Sequence, residues 1–179
     1  MIVLFNPRAT KPRNRRLPLA VLAIAAVLEG REDYEIVDGN VDDNPVASIS
    51  RLIEQYNVEL LGVSVMPGPQ MVAAMDASRE IRRAYPHVKI VWGGYFPSVY
   101  PDAALNAKYV DYIVRGQGED TLLELLDAMR GKRAFDSILG LSYKDIASRT
   151  GLTVGHVGYL LHHALKQLAL ELARAGHTP

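Results

Sequence analysis

Short, almost wholly apolar runs alternate with longer amphipathic stretches over residues 1–140, and the alternation predicts strands and helices in turn. Ile2-Val3-Leu4-Phe5 reads as a buried strand stopped by Asn6-Pro7. Leu17 to Leu28 reads as a helix that is apolar almost all round, so it is expected to pack on a sheet and on neighbours at its other sides. Tyr34-Glu35-Ile36-Val37 is a second strand, ended by Asp38-Gly39-Asn40, and Pro45 to Tyr56 is a helix with proline in its first turn. Leu60 to Val65 is a third strand closed by Pro67-Gly68-Pro69, and Gln70 to Ala84 a long helix. Lys89-Ile90-Val91-Trp92 is a fourth strand running into Gly93-Gly94, followed by a short helix near Pro101. Tyr112-Ile113-Val114 is a fifth, from which Gly116-Gln117-Gly118-Glu119 leads into a helix from Asp120 to Met129.

Nearly continuous apolar strands separated by helices predict a parallel sheet covered on both faces. The fold class expected is α/β, a doubly wound five-stranded parallel sheet of flavodoxin-like order 2-1-3-4-5. The pattern changes after about residue 140. From Ser142 onward two helices are expected, Tyr143 to Arg149 and Val154 to Ala175, and no strand. The chain is therefore divided into a domain over residues 1–140 and a helix-turn-helix-like tail over 141–179. Charge divides in the same place: the whole is neutral, with 20 basic and 20 acidic side chains, but the tail carries 4 basic against 2 acidic and four of the five histidines.

There is no cysteine. Disulfides, cysteine-ligated zinc, iron–sulfur clusters and a cysteine nucleophile are thereby excluded from this chain, and a reducing cytoplasm fits. The apolar run Leu17 to Leu28 is too short to span a bilayer. Lys11, Arg13, Arg15 and Arg16 before it imitate a signal peptide, but Met1 to Phe5 is already apolar and no small-residue cleavage site precedes Glu29. A soluble, cytoplasmic protein with no membrane partner is expected.

In an open parallel sheet, ligands bind outside the carboxyl ends of the strands. Those ends hold Asn6, Asp38, Ser64-Val65-Met66, Gly93-Gly94-Tyr95 and Arg115-Gly116-Gln117-Gly118-Glu119. Small residues there leave room for a large flat ligand to approach the backbone; turn-making is the competing explanation of each glycine. A phosphate-receiver site needs clustered carboxylates after the first strand and Asp after the third, where this chain has Asn6 and Ser64-Met66. A flavin or P-loop site needs glycine in the first loop, which here reads Pro7-Arg8-Ala9-Thr10-Lys11-Pro12. The five cations Arg8, Lys11, Arg13, Arg15 and Arg16 suit contact with phosphate, with the carboxamides of a ligand or with nucleic acid; the reading favoured is a solvated loop or one that docks on another domain.

Four ordered pieces carry a family resemblance. They are Asn6-Pro7 with Leu17-Pro18-Leu19-Ala20 and Leu22-Ala23; Gly62-Val63-Ser64-Val65-Met66-Pro67-Gly68-Pro69-Gln70; Trp92-Gly93-Gly94-Tyr95-Phe96-Pro97 with Tyr100-Pro101; and Asp111 to Thr121. In these, residues 1 to about 140 resemble the N-terminal cobalamin-binding domain of cobalamin-dependent radical SAM proteins. The resemblance implies cobalamin as cofactor, with Ser64 and Met66 flanking its nucleotide tail and Gly93-Gly94 letting the tail pass between strand and helix. Asn6, Asp38, Val65, Tyr95, Gly116, Gly118 and Glu119 complete the implied set. The Asp-x-His-x-x-Gly motif that ligates cobalt in other cobalamin proteins is missing, and His87 reads as a surface residue. The implied binding is therefore His-off, with no protein ligand to the metal. Without cysteines the chain is not expected to be an enzyme on its own, and the implied partner is a separate radical SAM catalytic chain.

In the tail, Ala147, Gly151 and Val157 take the small, turn and branched positions of a helix-turn-helix, with Thr153 as N-cap. Tyr143 to Leu165 resembles the DNA-reading half of the fourth region of bacterial sigma factors. That resemblance implies DNA as a partner, with Thr153, Gly155, His156 and Tyr159 toward the major groove and Lys166 beside them. The two resemblances overlap at Ser142-Tyr143-Lys144-Asp145. Three readings stay open: a noncatalytic cobalamin-binding domain with an appended tail, a DNA-binding regulator or sigma-like protein, and a truncated or chimeric fragment of a cobalamin-dependent radical SAM methyltransferase or cyclase.

Overall fold

The computed structural model describes residues 1–143, and the chain divides into two compact units after Ser142. The expected tail helices and the tail residues Thr153, Gly155, His156, Tyr159 and Lys166 lie outside the described residues. In chain order the elements are β1 (Ile2–Asn6), α1 (Leu19–Leu28), β2 (Tyr34–Asp38), α2 (Pro45–Gln55), β3 (Leu60–Ser64), α3 (Pro69–Ala84), β4 (Lys89–Gly93), α4 (Tyr95–Val99), α5 (Pro101–Leu105), β5 (Tyr112–Val114), α6 (Glu119–Met129) and β6 (Leu141–Tyr143). One sheet runs β2-β1-β3-β4-β5-β6, and the pairings among its first five strands are all parallel. The expected α/β class and the order 2-1-3-4-5 hold.

The sixth strand corrects the expectation of five, and Tyr143 ends a strand rather than opening a helix. Leu-Ser-Tyr is too short to show a period of its own; pairing to the open edge of β5 defines it. The Arg115 N–H donates to the Gly140 carbonyl at 2.9 Å just past the carboxyl end of β5. The chain thus enters β6 from that end, and the sheet is mixed. A second addition is α4, which contains Pro97. Proline is tolerated there because it sits in the first turn, where its missing N–H has no intrahelical partner to lose.

The strands are buried because their period-two faces both meet helices. Ile2, Leu4, Leu60, Val91 and Val114 form one core with Val21, Ala25 and Leu28 of α1 and Leu122, Leu125 and Leu126 of α6. On the other face Trp92 is 2% exposed, and its indole N–H donates to Ser78 Oγ of α3 at 3.0 Å. The expectation that α1 is covered on several sides is corrected: only Val21, Ala25 and Leu28, one face at i, i+4 and i+7, are buried. Leu17 and Leu19 are 75% and 70% exposed. Among the described residues no helix is long and apolar enough to cross a membrane.

The amino end of the sheet is clamped by Arg130, just after α6. Its guanidinium donates to Glu32 Oε1 at 2.5 Å, to Glu32 Oε2 at 2.7 Å and to Glu59 Oε1 at 2.6 Å. The fork fixes the end of α6 to the turn before β2 and to the residue before β3. Hydrogen bonding to Arg130 holds the Glu32 carboxyl below the usual glutamate range, against a smaller opposing effect of burial. A depressed folded-state pKa contributes stability that is present above the unfolded value and lost as pH falls through the folded one. Arg130→Met is therefore expected to cost on the order of 1–2 kcal/mol at neutral pH in urea unfolding, and to flatten the acid side of the stability profile. An acid limb unchanged in the variant would refute the clamp.

Candidate functional site

At the carboxyl ends of the strands a cleft of about 280 Å³ opens between α1, α6 and the sheet. Leu4, Gly62, Ser64, Val91, Gly93 and Val114 form its floor, and they share one face of the sheet because side chains alternate along each strand. The registers agree: Leu4 lies beside Gly62, Gly62 beside Val91, and Ser64 beside Gly93. Ala20, Val21, Ala23 and Ile24 of α1 make one wall, and Gly116 to Glu119 with Leu122 make the other.

Glycine opens this space in three ways. A Cβ at Gly93 would meet nothing within 4 Å, so the missing side chain is part of the cleft. At Gly118 a Cβ would stand 3.1 Å from Ile24 Cδ1 and 3.3 Å from Val114 Cγ1, so glycine lets the start of α6 approach α1 and β5 closely. Gly94 takes φ 97° and ψ −163°, a combination nearly confined to glycine. It turns the chain from β4 into α4 and lets the Phe96 N–H reach the Val65 carbonyl at 3.0 Å.

Of the residues singled out from the sequence, Ser64, Gly93, Gly94, Gly116, Gly118 and Glu119 line this cleft together. Val65 does not: it is fully buried, its N–H donating to the Gly93 carbonyl at 2.8 Å. Met66 and Tyr95 stand at the same end of the sheet, 54% and 58% exposed, outside the lining. Asn6 and Asp38 belong to a separate polar brace. Asn6 Nδ2 donates to Asp38 Oδ1 at 2.7 Å, and the Asn40 N–H donates to the same oxygen at 3.0 Å. Asn40 Oδ1 in turn accepts from the Ala9 and Thr10 N–H groups at 3.0 and 3.2 Å.

Gln70, 5% exposed, completes the brace. Its Nε2 donates to Asn6 Oδ1 at 3.0 Å and to the Pro7 carbonyl at 3.2 Å, while its Oε1 accepts from the Met66 N–H at 3.0 Å. Buried amides stay only where such partners exist. The crevice between β1 and β3, the switch point in strand order, is thus filled by a satisfied side chain, and the open space lies over β3, β4 and β5. Arg8 is tied back as well, its Nε donating to the Gly39 carbonyl at 2.8 Å and its Nη2 pairing with Asp43 at 2.9 Å. Lys11, Arg13, Arg15 and Arg16 are exposed, as a solvated loop requires.

Sequence reasoning missed Gln70, Asn40, Ser98 and the α1 wall. Gly62, a glycine inside a strand, was a usable signal for close approach. The polar residues offered none, because burial of a single Gln or Ser has no periodic signature. His87, the one histidine among the described residues, is exposed in the turn before β4, at the end of the sheet opposite the cleft.

Residues 8–126 match the family model described as B12 binding domain, and residues 135–168 match that of Sigma-70, region 4. An anaerobic magnesium-protoporphyrin IX monomethyl ester cyclase of Synechocystis is 31% identical over 140 residues, covering 74% of this chain and 27% of the relative. An uncharacterized methyltransferase of Pyrococcus horikoshii is 29% identical over 129 residues, covering 72% of this chain and 28% of the relative. The radical S-adenosylmethionine methyltransferase TsrM of Kitasatospora setae, solved with cobalamin and a [4Fe–4S] cluster bound, superposes with a TM-score of 0.69 at 25% identity. That superposition covers 80% of this chain and 28% of TsrM. The chain thus spans less than a third of these proteins' lengths.

Proposed function

This chain belongs to the B12-binding domain family, and we propose that residues 1–140 bind cobalamin with its nucleotide tail in the cleft and with no protein ligand to cobalt. The observation that carries the reading is the cradle at Gly93: open space where a side chain would stand, walled by apolar α1 and by the glycines that open α6. The base of the tail is flat and largely apolar, which suits those walls, and Ser64 and the backbone of Gly94 and Gly116 supply the polar contacts. Bound cobalamin supplies a cobalt centre for group transfer or radical chemistry. The chain's own residues do the rest: Ala20, Ala23 and Ile24 shield the tail from water, and the Asn6–Gln70 brace holds the neighbouring loop. Met66 and Tyr95, exposed at the same end of the sheet, would be the side chains available to contact the corrin. His87 at the far end of the sheet supports His-off binding.

In this reading the domain is a noncatalytic cofactor carrier that works in the cytoplasm with a radical SAM catalytic chain. Incubation of the full chain with hydroxocobalamin followed by desalting tests it. A red protein holding one corrinoid per chain is expected, its spectrum unchanged in His87→Ala. A colourless but folded protein would overturn the assignment.

The match of residues 135–168 to sigma region 4 favours a second role, DNA binding by the tail over 141–179 through Thr153, Gly155, His156, Tyr159 and Lys166. The first residues of the matched segment, up to Tyr143, are a 3-10 turn at Phe135–Ser137 and the strand β6 in the described structure. With so few cations, duplex affinity is expected to be weak and its salt dependence shallow, since the slope scales with the number of phosphates neutralised.

A further inference from the structure

Ser98 sits in α4, outside the cleft lining, yet its hydroxyl joins the two glycine loops that form the cleft's mouth. Its proton goes to the Gly94 carbonyl at 2.7 Å, and its oxygen accepts the Gly116 N–H at 2.9 Å. The first bond is the ordinary return of a helical serine to the carbonyl four residues back. The second crosses from the β4 loop to the β5 loop. Pairing between those strands covers Val91 with Tyr112 and Trp92 with Ile113, so the bridge lies beyond the last paired residues. Gly94 and Gly116 both line the cleft, and both are at positive φ, 97° and 73°, so their peptide planes are set by what holds them.

We propose that Ser98 is a positioning residue of the cleft, fixing the separation of the Gly94 and Gly116 loops and thereby its grip on the nucleotide tail of cobalamin. The inference rests on the reading of the cleft as the tail's site and adds a residue that touches no part of the ligand. A hydroxyl is required, since only a group that donates and accepts through one atom satisfies both loops. Alanine removes the bridge; threonine keeps it.

The test uses the full chain, Ser98→Ala and Ser98→Thr, with hydroxocobalamin and with cobinamide, which has the same corrin ring and no nucleotide tail. Dissociation is followed by absorbance and folding by thermal melting. In Ser98→Ala cobalamin is expected to leave roughly tenfold faster, with cobinamide unchanged, and Ser98→Thr to behave as the parent. Equal acceleration of both corrinoids, or of neither, overturns the proposal, because general loosening of the domain moves both alike. If the parent chain retains no cobalamin, or holds it no better than cobinamide, the reading of the cleft itself fails and this inference falls with it.

Discussion

Gly93→Leu is expected to abolish retention of cobalamin while leaving the stability of the domain almost unchanged. Gly93 shares the cleft face of β4 with Val91, while Trp92 between them faces α3. A Cβ at Gly93 has no neighbour within 4 Å, so the first carbon of a new side chain meets no clash and the rest is directed into the open cleft. Leucine also suits an extended backbone at least as well as glycine does. The same side chain, however, occupies a large part of a cleft of only about 280 Å³. Affinity for hydroxocobalamin should fall roughly a hundredfold or more, whereas the unfolding free energy should move by no more than about 0.5 kcal/mol. Titration and urea unfolding of the same preparation read the two quantities. Normal binding by this variant would place the tail elsewhere.

The strands were legible because burial on both faces writes continuous apolar runs, and the helices because proline and glycine punctuate them. Order 2-1-3-4-5 followed from reading five alternating strand–helix units as the flavodoxin-like doubly wound arrangement. β6 was not legible, since three residues cannot display a period and its partner edge exists only once β5 is in the sheet. The α1 prediction failed for a related reason: a uniformly apolar helix specifies that it is buried somewhere, not on which side. Leu17 and Leu19 remain exposed in the described residues, beside the four solvated cations of the same loop.

The cleft was half legible. Glycines at strand ends mark where backbone can approach a ligand, and six of the residues chosen on that basis converge. Asn6 and Asp38 were chosen for the same position at strand ends, but they are consumed in holding each other, Asn40 and Gln70. Position along a strand identifies the end of the sheet; which side chains turn outward depends on partners contributed from residues as distant as Gln70. Val65 shows the limit of reading three consecutive residues as one site, because in a strand-like segment alternate side chains face opposite ways. Ser98 carries no sequence signal at all, since its bond to Gly116 joins two loops that meet only at the carboxyl ends of neighbouring strands.

Gly94→Ala should have the opposite signature to its neighbour, a large loss of stability before any ligand is considered. At φ 97° and ψ −163° an L-residue is strained by about 1–3 kcal/mol. Space adds to this. The new Cβ would stand 3.1 Å from the Val65 carbonyl oxygen and 3.2 Å from the Val65 nitrogen. Those backbone atoms cannot give way cheaply, because the Val65 N–H already donates to the Gly93 carbonyl at 2.8 Å and its carbonyl accepts the Phe96 N–H at 3.0 Å. The combined cost expected is about 2–4 kcal/mol, a large part of the stability of a domain this size. It should appear as a lower urea midpoint with an unchanged slope. Saturating hydroxocobalamin should recover part of the loss, since a ligand that binds only the folded form stabilises it by mass action. An alanine variant as stable as the parent would show that the β4 to α4 turn does not require the glycine conformation. The open space beside Gly93 would then owe nothing to how tightly that turn is made.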